Sequence, residues 1–412
     1  MQHDVARRSR MAVGATYAAQ GFGYATVVTA LPGLKERTGI DDATISLVLL
    51  LSAVLAAAGS VAAEHLARRW SSRTPVLLGL LAQALGLVLV TTVTSVPPLF
   101  VTFVVFALGL GLVDASAGMQ GVALQHRLGR PVMSTLFACL TGAAVVAALA
   151  QSGLARLGTT TGAVAALLVA SVVAAVVALV ARPGLVRGQD DADGPVAGAR
   201  AAVEPSDAPA EPPPSRTPLP RAGIWLFGAM VAVAFVVDSA VSSWSTVYLH
   251  DTLEASASVA PLGYAAYQGA VLVARLAGDP LVLRYGRARV AAPTVVVAAV
   301  GLFVVGLVPS PGAAIVGFAL AGIGAGTLVP LAFSAAGELV PGRRDDVIAR
   351  INLFNYAGAL VGAVALGLLS EVTGLGPAFL VPALLLVPAL LVVPRFGGAT
   401  SPAPPPAERS RV

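Results

Sequence analysis

Long apolar stretches alternate with short clusters of charge along this chain, and the spacing repeats. A bilayer core takes about 20 apolar residues per helical crossing, so the distance between successive Asp, Glu, Lys and Arg residues serves as a ruler. Uncharged intervals run from Met11 to Leu34, Ala43 to Ala63, Pro131 to Ala155, Leu157 to Ala181, Ala255 to Ala274, Ile351 to Ser370 and Val372 to Pro394. Each has the length of one span. The intervals Thr74 to Val113 and Val290 to Gly337 are too long for one crossing, and "SVPP" (Ser95 to Pro98) and "VPSPG" (Val308 to Gly312) place a turn near the middle of each. A further span, between Arg221 and His250, contains Asp238. The pattern predicts twelve helices, since a helix satisfies its own backbone hydrogen bonds where no water is available.

Composition agrees: 57% of the 412 residues are hydrophobic and 11% charged, with a mean hydropathy of +0.84. With the N-terminus inside, 23 of the 26 basic residues fall on the cytoplasmic side, leaving Lys35, Arg37 and Arg156 outside. Arg275 is counted among the cytoplasmic loop residues. The net charge of +5 is spread over short loops and does not line one face, which points to anionic lipid and away from nucleic acid. The first apolar run is long enough to remain as a span and lacks a clear cleavage motif. One cysteine, Cys139, excludes an internal disulfide and a cysteine metal cluster.

Four segments follow: a six-helix bundle over 1–181, a disordered cytoplasmic linker over 182–221 rich in Pro, Ala and mixed charge, a second bundle over 222–395, and a disordered tail over 396–412. The bundles resemble each other weakly. "ARRWSSR" (Ala67 to Arg73) matches "LRYGRAR" (Leu283 to Arg289), and "FALGLG" (Phe106 to Gly111) matches "FALAGIG" (Phe318 to Gly324). Parallel six-helix repeats are an architecture of transporters that bind solute at the midplane between halves.

On these features the chain resembles the major facilitator superfamily. The loop signature of that family survives in part, as Arg284, Gly286 and Arg287 in the second half and as Arg69 and Arg73 in the first. Leu283 stands where the family has Asp, and Ser71 where it has Gly. The strings Asp114 to Ala138, Asp238 to Leu249, Leu262 to Asp279 and Ala335 to Gly362 are similar to the YbjJ-like branch of bacterial inner-membrane facilitators. The resemblance implies an all-α fold, alternating access and a small organic solute, driven by a gradient.

Two acids, Asp114 and Asp238, lie well within the spans, and an ionised group there needs a partner or a wet cavity. Proton coupling or solute binding is the functional reading for both, with Asp238 first, and a hydrogen bond to polar groups of neighbouring helices is the alternative for Asp238. Asp114 has a second reading, as a gate latch on Arg69 and Arg73, because its helix carries it toward the arginine-rich side. Arg284, Gly286 and Arg287 form the matching gate loop of the second half. Tyr17, Gln20 and Tyr24 share a helical face, and with Trp244, Gln268, Asn352, Asn355 and Tyr356 they are candidate solute contacts; helix packing is the alternative for each. The four histidines are too dispersed to suggest a metal site, and no nucleotide-binding or catalytic motif appears. The expectation is a monomeric, multi-pass protein of the cytoplasmic membrane, with both termini cytoplasmic. It needs no cofactor, is not an enzyme, and works on a small solute and protons, with export slightly favoured over uptake. A transporter-like receptor or assembly factor that no longer cycles is the other reading.

Overall fold

A computed structural model describes residues 2–129, 132–186, 221–336, 339 and 344–397; the remainder of the linker and the tail lie outside the described residues. Among the described residues there is no strand. The first half comprises α1 (Gln2–Thr29), a short α2 (Leu31–Thr38), α3 (Asp42–Arg69), α4 (Arg73–Thr92), α5 (Val96–Leu128), α6 (Met133–Leu154) and α7 (Thr159–Ala181). The second comprises α8 (Arg221–Val247), α9 (Pro261–Tyr285), α10 (Arg287–Leu307), α11 (Pro311–Ala336), α12 (Arg344–Thr373), and the short α13 (Leu375–Ala378) and α14 (Leu380–Ala389). Nine of these elements are long and apolar enough to cross a membrane. With α1, α9 and the α13–α14 segment they make twelve spans.

Local chemistry sets the boundaries. The two long apolar intervals break at Val93–Ser95 and Val308–Ser310, where Pro97 and Pro311 enter the first turns of α5 and α11. After α2, Gly39 adopts φ 69°, a left-handed cap that favours glycine, and Asp41 then caps α3 by accepting from the Thr44 N–H at 2.8 Å. Several helices outrun the uncharged intervals: α1 begins before Met11, α5 continues through Arg127, and α9 continues ten residues past Arg275. This corrects the placement of Arg275 in a loop. It is an intrahelical cation, and reading every charge as a span boundary hid it.

The halves repeat the same packing. In the first, α3 and α4 pack on α5, α1 on α6, and α4 on α7; in the second, α9 and α10 pack on α11, α8 on α12, and α10 on α14. Close approach is built the same way in both: a Cβ at Gly21 would strike the Leu140 backbone, and one at Gly358 the Ala232 backbone. Side chains such as Val172, Leu179 and Leu391 are more than half exposed on the outside, as suits a lipid-facing surface.

The ends differ. One carries Arg127 donating to Ser9 and Arg73 donating to Leu185; the other carries Lys35, Arg37 and the loop before α9. Contacts between halves run where α3 meets α12 and α6 meets α9. At the Lys35 end, Lys35 bonds Asp251, Glu371 accepts from the Ala43 N–H at 3.0 Å, Ser370 donates to Asp42 at 3.3 Å, and Ser152 donates to the Ser258 carbonyl at 2.5 Å.

Candidate functional site

Nine polar side chains from α1, α4, α5, α8 and α9 converge between the halves. Gln20 donates to Asp114 Oδ1 at 2.6 Å and to the Leu110 carbonyl at 3.2 Å, while its own carbonyl accepts from Gln83 at 2.7 Å. Both amide protons of Gln20 are thereby used, and Gln83, Gln20 and Asp114 form one chain across three helices. Gln20 and Gln83 are buried, whereas Asp114 is exposed. The carboxylate is thus fixed on one side by an amide and open on the other.

The second half holds its acid differently. The Tyr267 hydroxyl donates to Asp238 Oδ1 at 2.8 Å, and Gln268 donates to the Tyr264 hydroxyl at 3.2 Å. Tyr24 of α1 lies within electrostatic range of both Asp238 and Asp114, and Tyr264 within range of Tyr24 and Asp238. Arg275 projects from α9 to the opposite half, donating to Thr141 Oγ1 of α6 at 3.1 Å, and it acts electrostatically on Asp238.

Of the residues singled out in the sequence, Gln20, Tyr24, Asp114, Asp238 and Gln268 belong to this cluster. Tyr17 is buried one turn away, edge-on to Phe137 with ring centroids 5.6 Å apart. Trp244 is fully buried, and its indole N–H donates to the Ala363 carbonyl at 2.8 Å, so the ring packs among helices and presents no face to the interior. Asn355 is half-buried on α12, Tyr356 is 65% exposed on that helix, and the Asn352 side chain lies outside the described residues.

The candidate gate residues lie at the arginine-rich end. Arg69 is exposed beside the Trp70 ring, and Arg284 stacks 5.2 Å from the Tyr285 centroid. Gly286 ends α9 at φ 83°, a conformation that favours glycine, and Arg287 opens α10. Arg73 Nε donates to the Leu185 carbonyl at 2.7 Å. The expected partnership of Asp114 with Arg69 and Arg73 is therefore replaced here by Gln20: Arg73 turns instead to the chain leaving α7.

Gln120 completes that anchorage. Buried on α5, it donates to Ser72 and to the Val186 carbonyl, and it accepts from the Val186 N–H at 2.7 Å. Leu185 and Val186 are consequently buried, and the first half extends past residue 181 to Val186.

Sequence reading missed Gln83, Tyr264, Tyr267 and Arg275. The signal for three of them was present: Tyr264, Tyr267, Gln268, Val271 and Arg275 recur at three- and four-residue steps, one face of a helix. Gln83 carried no such pattern. A cavity of about 270 Å³ also opens at the arginine-rich end, lined by Arg7, Arg10 and Gly14 of α1, Leu124 of α5, and Thr135 and Cys139 of α6.

The polar cluster lies between two repeated halves, and comparison with known proteins identifies the family of that architecture. An uncharacterised MFS-type transporter of Yersinia pestis is 29% identical over 366 residues, covering 89% of this chain and 90% of the relative. Membrane protein MosC of Rhizobium meliloti is 24% identical, covering 90% and 85%. Among solved structures, a D-xylose-proton symporter aligns with a TM-score of 0.71 at 14% identity, covering 94% of this chain and 97% of that one. A bacterial homologue of the human lysosomal transporter Spinster, in an inward-facing and occupied conformation, also gives 0.71, at 13% identity over 94% and 95%. These two likenesses concern the fold. The model of the Major Facilitator Superfamily matches residues 13–264 and 226–411, and the chain belongs to that superfamily.

Proposed function

We propose that this chain is a proton-coupled secondary transporter that moves a small organic solute across the cytoplasmic membrane by alternating access. The observation that carries the reading is the pair of interior acids, one per half, each held by a neutral donor: Asp114 by Gln20 and Asp238 by Tyr267. A carboxylate held this way gains or loses a proton without breaking a direct ion pair, and it does so as its chamber changes access. Asp238 is the first coupling residue. Asp114 serves the gate, passing from Gln20 to Arg69 or Arg73 when the arginine-rich end closes.

By the distribution of basic residues the arginine-rich end faces the cytoplasm, with both termini there. The bonds gathered at the Lys35 end then describe an external face that is shut. The protein acts as a monomer, since each half supplies one acid and one chain completes the chamber. The expectation of export rested on an interior poor in polar groups. Gln20, Gln83, Tyr264, Tyr267 and Gln268 remove that ground, and the proposal carries no direction.

The test is transport in proteoliposomes of a solute first identified by its stabilisation of the purified protein. Asp238→Asn is expected to abolish dependence on the pH gradient while solute exchange persists. Gradient-driven uptake equal to that of the unsubstituted protein would refute the coupling assignment. Asp114→Asn should shift thiol accessibility toward opening at the arginine-rich end; unchanged access with lost binding would move Asp114 from the gate to the solute site. Absence of any exchange of access between the two ends would favour a receptor that no longer cycles.

A further inference from the structure

The interior contains a cation that the two acids do not neutralise directly. Arg275 sits 14 residues into α9, about 21 Å along a helix that rises 1.5 Å per residue, and so within the depth of a bilayer core. A guanidinium at that depth is costly unless it is matched or reached by water. Arg275 is exposed, and its one hydrogen bond among the described residues goes to the neutral Thr141 hydroxyl in the other half. Among the described residues no carboxylate comes within 4 Å of it, and one oxygen of the nearby Asp238 is taken by Tyr267. The guanidinium has five N–H donors in a planar fork suited to a carboxylate.

The surroundings favour an anion. About two and three turns along the same face of α9, toward the closed end, stand Gln268 and Tyr264, both polar. At the arginine-rich end Arg7 and Arg10 line the 270 Å³ cavity of the first half, and their charge concentrates anions at that end of the molecule.

We propose that Arg275 is a specificity-determining residue that selects solutes bearing an anionic group, a carboxylate above all, and holds that group between α9 and α6. This rests on the transporter reading. The Arg275–Thr141 bond marks the position: an anion accepting from the guanidinium takes the place of the threonine hydroxyl and bridges the halves through one residue of each.

The test reads the field at Arg275 without a known solute. Gly278 lies one turn from Arg275 on the same helix, and a Cβ built there meets nothing within 4 Å. In full-length protein with Cys139→Ala and Gly278→Cys, thiol labelling is timed with two reagents of matched size, the 2-sulfonatoethyl and 2-trimethylammonioethyl methanethiosulfonates. The ratio of their rates, normalised to a free thiol, is expected to fall about tenfold on adding Arg275→Gln, as for unlike against like unit charges near a guanidinium in water. Arg275→Lys should retain the sulfonate preference, which separates loss of charge from loss of fold. A ratio that changes less than twofold with Arg275→Gln, or that falls equally with Arg275→Lys, overturns the proposal. Labelling needs no cycling, so its failure leaves the transporter reading standing, and failure of transport leaves the labelling result readable.

Discussion

Lys35 in the first half donates to Asp251 in the second at 2.5 Å and to Asp42 in its own half at 2.6 Å. One ammonium therefore bridges the two halves at this end while also tied to the start of α3. His250 reinforces the junction, 3.7 Å from Glu36 and hydrogen-bonded to Asp251 at 2.8 Å.

Asp251→Asn removes one of the two carboxylates facing Lys35 and leaves the bond to Asp42. Charged hydrogen bonds contribute about 1.5 to 3 kcal/mol, and the low end applies because both side chains retain some solvent contact. The equilibrium at the Lys35 end should shift toward opening by roughly tenfold. Spin labels at Leu157 and Val372, exposed residues of opposite halves, would report it as a growing long-distance population. An unchanged distance distribution would mean that α3–α12 packing alone holds the end shut.

Lys35 governs the alkaline part of the pH dependence of this junction, while His250, held above its ordinary 6.5 first by its hydrogen bond to Asp251, governs a part nearer neutrality. Burial lowers the Lys35 pKa, but hydrogen bonds to Asp251 and Asp42, and their charges, outweigh burial and hold it above its ordinary 10.5. A cation whose pKa is raised in the closed form stabilises that form fully below its ordinary value and loses the effect as pH rises through the raised one. The contribution of Lys35 to closure should thus be constant from neutral pH to about 10 and fall only above 10.5. The same spin-label pair, followed across alkaline pH, checks this; opening between pH 7 and 9 that Lys35→Arg abolishes would contradict it.

Gly367 is the point where three helices of both halves converge. A Cβ there would meet the Trp244 ring of α8 and the Ser46 hydroxyl of α3. Trp244 cannot yield easily, being fully buried with its N–H bonded to Ala363. Gly367→Ala should therefore part α3 from α12 at this level, since overpacking a close contact costs about 1 to 3 kcal/mol. Faster thiol labelling of Ser46→Cys in that background is the expected result, and equal labelling would place the strain elsewhere.

The repeat of packing partners was legible because lipid leaves the sequence little freedom: spans of fixed length, turns at prolines and arginines gathered at one end follow from the cost of unpaired polar groups in hydrocarbon. The interior was legible where a polar residue interrupted an uncharged run, as Gln20, Tyr24, Asp114 and Asp238 do. Arg275 was not, because a charge was taken to end a span, and in a chamber reached by water it need not. Trp244 was misleading for another reason. Its position six residues past Asp238 suggested a ring near the solute, but the side chain turns between helices, fully buried with its N–H on the Ala363 carbonyl. Gln83 and Gln120 depend on partners in other helices far along the chain, and no local pattern announces them.

Gln120 makes the last of these a measurable quantity. Its side chain meets both polar groups of Val186, accepting from the N–H at 2.7 Å and donating to the carbonyl at 2.9 Å, and it also holds Ser72 at the start of α4. Gln120→Leu keeps the apolar volume and removes all three bonds, leaving two buried backbone groups of Val186 without that partner, at about 1 to 3 kcal/mol. Arg73 still holds the Leu185 carbonyl, so the helices should remain folded while residues 183–186 open locally. Amide hydrogen exchange is expected to quicken about tenfold or more at Val186 and to stay constant in α5 and α7. Faster exchange throughout α5 would show instead that Gln120 supports the bundle itself, and unchanged exchange at Val186 would show that Arg73 and the burial of Leu185 suffice to hold the chain in place.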